Sequence, residues 1–73
     1  MNKGQEMFYN FYMNMVKEGK EAEADKLLKD GFAKQESGEF FQYFPLVKDK
    51  YFELIREECV DSLKEAMSHF INK

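Results

Sequence analysis

Between Met7 and Val16 eight of ten residues are apolar or aromatic, and only Asn10 and Asn14 interrupt them. Wound into a helix at about 100° per residue, these side chains cover about 240° of the wheel. A helix on the outside of a small bundle needs one apolar stripe. This one has a second face to bury, either against surrounding helices or against another molecule.

The size of the chain sharpens that requirement. Seventy-three residues hold one core and a few kcal/mol of net stability at most. Disulfides cannot add to it, because Cys59 is the only cysteine. A single thiol suits a reducing compartment. Met1 to Glu6 carry no charged-then-apolar leader, and no apolar run approaches the roughly 20 residues of a membrane span. A cytoplasmic protein is expected. With 44% apolar and 16% aromatic residues, eight of them phenylalanine, the chain is too rich in core formers to be disordered.

Local signals divide the chain into helices. Asn2 and Gln5 have the spacing of a capping box, which starts helix 1 near residue 3. Gly19 supplies a left-handed residue to end it near residue 18. Helix 2 opens on Glu21, Glu23 and Asp25 and carries Lys26, Lys29 and Lys34 later, the order that the helix dipole favours. Ser37 and Gly38 close it. Its Ala24, Leu27, Leu28, Gly31 and Phe32 form one ordinary apolar face, with Gly31 read as a site of close helix approach. Pro45 belongs near a helix start, so helix 3 is expected to begin between Phe41 and Pro45. Phe40 to Phe44 could be a strand by aromatic content, but a lone strand would have no partner.

From Leu46 onward the apolar stripe changes direction. Val47, Tyr51, Leu54 and Ile55 centre at about 45° on the wheel, whereas Cys59, Val60, Leu63, Ala66, Met67 and Phe70 centre at about 190°. Either one straight helix serves two neighbours or the helix breaks near Arg56 to Glu58, and the wheel favours the break. The expected fold is all-α, a single domain over residues 1–73. It is a three- or four-helix bundle with helices over about 3–18, 20–37, 43–56 and 58–71, the last two separate or continuous.

Composition and spacing exclude most chemistry. Fourteen acidic against eleven basic residues give a net charge of −3, with lysines interspersed among carboxylates and Arg56 the only arginine. Nucleic acid is therefore not the expected partner. The alternative function, a nucleic-acid-associated regulator, would use residues 44–52, where Lys48, Lys50 and Tyr51 combine charge and aromatics. Asp61, Glu65 and His69 share a helix face, but the outer two lie about 12 Å apart and cannot hold one ion. Cys59 and His69 are about 15 Å apart on a continuous helix, too far for a nucleophile and its base. Carboxylate pairs such as Glu57 with Glu58, or Glu53 with Glu57, need a cleft to separate their pKa values, and a bundle this small is not expected to form one. The glycines occur singly, so no phosphate loop exists. No metal, no cofactor, no membrane attachment and no enzymatic activity are expected.

What remains is the surplus on helix 1. A peripheral membrane helix would need a cationic polar face, and this one has two asparagines and a lysine. Met7, Met13 and Met15 could form an adaptable groove for another protein's helix. The expectation is a protein-interaction or regulatory module, self-associating as a homodimer through Met7, Phe8, Phe11, Tyr12, Met15 and Val16.

Overall fold

The computed structural model describes the backbone of residues 1–71 and the side chains of residues 1–68. It is an all-α fold of four helices: α1 (Lys3–Met13), α2 (Glu21–Glu36), α3 (Phe40–Glu53) and α4 (Val60–Ile71). A single 3-10 turn, Glu57–Cys59, leads into α4. No strand occurs among the described residues, and no described helix is long and apolar enough to cross a membrane.

The capping box at the start of α1 is formed. Asn2 Oδ1 accepts from the Gln5 N–H at 2.7 Å, and the Asn2 N–H donates to Gln5 Oε1 at 3.1 Å. The end of α1 departs from expectation, because the helix stops at Met13 rather than near residue 18. Val16 instead pairs antiparallel with Ile55 in an isolated bridge. The Arg56 N–H donates to the Met15 carbonyl at 2.8 Å, and the Lys17 N–H donates to the Leu54 carbonyl at 2.9 Å. Two β-branched side chains suit the extended pairing, which satisfies backbone groups that both helix ends leave open. Gly19, at φ 89°, belongs to the turn before α2 and does not cap α1.

The end of α2 is a Schellman motif. Glu39 N–H reaches the Lys34 carbonyl at 2.9 Å and Gly38 N–H reaches the Gln35 carbonyl at 3.3 Å. Gly38 sits at φ 80°, where a Cβ would be strained. Helix α3 begins immediately afterwards at Phe40, earlier than Pro45 suggested. Pro45 stands inside the helix but close to its start, and the bond it deletes would have ended on the carbonyl of Phe41, an exposed residue.

The break between α3 and α4 is present. Arg56 adopts φ −63° and ψ 144°, an extended conformation, between Leu54 at the end of α3 and the 3-10 turn. The two apolar stripes therefore reach the core from separate helices. Tyr51, Leu54 and Ile55 come from the first stripe, and Leu63 and Met67 from the second. Phe70 belongs to the second stripe by sequence, and its side chain lies outside the described residues. These groups meet Tyr12, Met15 and Val16 of the first segment and Ala24 and Leu28 of α2 in one cluster.

Two tyrosines bind three helices together at its centre. Tyr12 donates its hydroxyl to the Tyr51 carbonyl at 2.7 Å, and their rings meet edge to face at 5.6 Å. That carbonyl is one of the last four of α3, which lack intrahelical partners. The Tyr51 hydroxyl in turn donates to the Leu27 carbonyl of α2 at 3.2 Å. A buried hydroxyl left unpaired costs about 1–3 kcal/mol, and both are paired here.

Candidate functional site

Two surface features result from this packing. The first is a cleft of about 280 Å³ where α1, α2 and α3 converge with Met67 of α4. It corrects the expectation that a bundle this small forms no cleft. It lies where α3 turns its aromatic first half toward α2, and Gly4 on α1, Gly31 on α2 and Gly38 after α2 all border it. Phe40 and Phe44 stack with ring centroids 5.2 Å apart, and Phe41 meets Phe40 edge to face at 5.9 Å. Phe8 and Phe32 face this aromatic wall from α1 and α2.

The cleft's polar groups come from a short relay of amides. Gln5 is the buried polar residue among the described residues, 5% exposed, and its Nε2 donates to Gln35 Oε1 at 2.9 Å. Asn2, Gln5 and Gln35 all border the cleft, and no acidic or basic side chain does so among the described residues. Burial raises the Tyr51 hydroxyl well above its ordinary pKa, so the phenol is neutral across physiological pH.

The second feature is an exposed row on α1. Met7 is 66% and Phe11 is 38% exposed, one helical turn apart, with exposed Gly4 in line with them. Phe8 flanks the row half-buried, its ring 6.3 Å from that of Phe11. The other three residues expected at an interface lie elsewhere. Tyr12, Met15 and Val16 are buried in the chain's own core. The chain leaves the helix after Met13, and Met15 and Val16 pack into the core beside Tyr12. The opposite flank of α1 is polar: Tyr9 donates its hydroxyl to Asp25 of α2, which Lys29 also contacts at 3.2 Å.

Residues considered for other chemistry are dispersed. In the 44–52 segment, Phe44 and Tyr51 are buried, while Lys48, Asp49 and Lys50 are exposed. Of the aromatics a nucleic-acid strand would stack on, Phe44 and Tyr51 thus face inward and Phe52 is half-buried. Asp61 and Glu65 are exposed on α4, and the side chain of His69 lies outside the described residues. Among the described residues no three His, Cys, Asp or Glu side chains gather closely enough to hold a metal ion. Cys59 is half-buried, with its sulfur 3.8 Å from a guanidinium nitrogen of Arg56. That same nitrogen donates to the Asn14 carbonyl at 2.9 Å, capping the C-terminal end of α1.

Comparison with protein-family models, with curated proteins and with solved structures finds no match to this chain.

Proposed function

We propose that the protein is a small interaction or regulatory module that self-associates through the exposed row of α1. The observation that carries this reading is the row itself. Gly4, Met7 and Phe11 stay uncovered on a helix whose neighbouring Tyr12 is fully buried. An isologous, antiparallel pair of α1 helices matches the row to itself, setting Phe11 of one copy over Gly4 of the other and Met7 beside Phe8. Glycine at that position lets the ring approach the opposing backbone. The row spans about 10 Å, so the contact belongs to the small, concentration-dependent class of interfaces. The reading assigns the protein no catalytic step and sets it in the cytoplasm, where a lone thiol stays reduced.

Sedimentation equilibrium from micromolar to millimolar protein tests it. A monomer–dimer equilibrium is expected, and Met7→Glu should shift it toward monomer with an unchanged helical circular dichroism spectrum. A strict monomer throughout that range, or a dimer indifferent to Met7→Glu, contradicts the reading.

A further inference from the structure

We propose that the aromatic cleft is a binding site for a small, neutral aromatic molecule that carries a hydrogen-bond acceptor, such as an aryl ketone or aryl amide. This goes beyond self-association and shares with it only the α1 flank of the cleft. Size is the first argument. A dry apolar cavity of about 150 Å³ suffices for a benzene ring, so about 280 Å³ takes one ring with a short head group. The walls are the second. Phe40, Phe41 and Phe44 present both faces and edges of rings, the arrangement in which a further aromatic ring finds offset-stacked and edge-to-face partners.

The head group follows from the orientation of the amides. The backbone N–H of Asn2 can only donate, so the oxygen of Gln5 must face it, at 3.1 Å. That leaves the Gln5 nitrogen toward Gln35, which must answer with its own oxygen, at 2.9 Å. Gln35 Nε2 then keeps two N–H donors and Gln5 Nε2 a second one, on side chains that border the cleft. The capping box of α1 thus fixes both amides, by relay, into a donor edge on an otherwise aromatic cleft. A ligand that completes the site supplies an acceptor. Among the described residues no cationic side chain borders the cleft to offset a carboxylate's loss of hydration, so the acceptor is a neutral oxygen.

NMR titration of the full chain with acetophenone, ethylbenzene and benzoate tests this, since the three probes differ in the acceptor and its charge. Running it at dilute and at concentrated protein separates ligand binding from self-association. Acetophenone is expected to cause saturable shifts in the side-chain amides of Gln5 and Gln35 and in the Phe41 ring. Its affinity should exceed that of ethylbenzene by about threefold to tenfold, one hydrogen bond's worth, and should exceed that of benzoate. Gln35→Ala, at an exposed position, should lower acetophenone to the level of ethylbenzene and leave ethylbenzene unchanged. The proposal is overturned if acetophenone gives no saturable shifts at these groups, if its shifts fall instead on Met7 and Phe11, if benzoate binds most tightly, or if Gln35→Ala leaves acetophenone binding intact.

Discussion

The hydroxyl oxygen of Tyr51 stands 2.5 Å from the position that a Cβ on Gly31 would occupy. Helices α2 and α3 touch there at a distance only glycine permits, and the same hydroxyl is tied to the Leu27 carbonyl one turn earlier, so it cannot easily move aside. Gly31→Ala should therefore destabilise the protein by about 1–3 kcal/mol through overpacking, although alanine favours an isolated helix by about 1 kcal/mol. On a Tyr51→Phe background the same change should be neutral or stabilising. Urea denaturation of the four proteins in this cycle measures the coupling. Equal costs on both backgrounds would mean that something other than the hydroxyl keeps glycine at this position.

Alkaline pH should unfold the protein through Tyr12 and Tyr51. Burial raises both hydroxyls well above the ordinary value of 10.0, so the folded state keeps two protons that the unfolded chain releases. Their contribution is complete below about pH 10 and is lost as pH rises beyond it, at about 1.4 kcal/mol per pH unit for each tyrosine. Tyr12→Phe should flatten this limb in denaturation measured between pH 9 and 12. The acid limb has a different origin: the hydrogen bond from Tyr9, and then Lys29, holds Asp25 below its ordinary value. That contribution is present above the usual carboxylate pKa and lost as pH falls through the lowered one, so Asp25→Asn should reduce the acid dependence.

Two adjacent residues on α1 should respond oppositely to an introduced charge. Tyr12→Glu removes a ring at the centre of the core and puts a carboxylate there, a loss of more than about 3–5 kcal/mol that exceeds what a domain of this size can spare. It should unfold. Phe11→Glu changes a partly exposed residue of the row and should leave the helical spectrum intact while weakening self-association. Circular dichroism with sedimentation of both variants checks this, and two folded species of unchanged mass would refute the division of α1 into a core face and an outer face.

The amide protons of Lys17 and Arg56 lie outside every helix yet donate to Leu54 and Met15 across the junction. Hydrogen exchange should find them protected like those of the helical core, because the Val16–Ile55 bridge is flanked by the buried Met15 and Leu54. Exchange as fast as at the exposed Glu18 would show that the junction opens on its own.

Much of the fold was legible because its signals are local. The Asn2 and Gln5 capping box, the Gly38 helix end and the close approach at Gly31 each follow from residues a few positions apart, and the break near Arg56 follows from the turn of the apolar stripe along one stretch of chain. The end of α1 at Met13 was not, since it is set by Val16 meeting Ile55, a pairing far apart in the sequence that competes with one more turn of helix. The early start of α3 was missed for a related reason: Pro45 reads as a helix start, while the Schellman turn before Phe40 already launches the chain into helix. For the site, the excess apolar surface of α1 was visible, but half of it proved to be core. The cleft needed Gln5 and Gln35 brought together from different helices, and nothing in either local sequence announces the other.

The contact between α1 helices is tested most directly by isotope-filtered NOE spectroscopy on a mixture of labelled and unlabelled protein at millimolar concentration. Intermolecular NOEs from the Phe11 ring to the Gly4 α-protons, with Met7 near Phe8, are the expected result. Intermolecular NOEs confined to Leu46 and the outer face of α3, or none at all, would contradict self-association through the first helix.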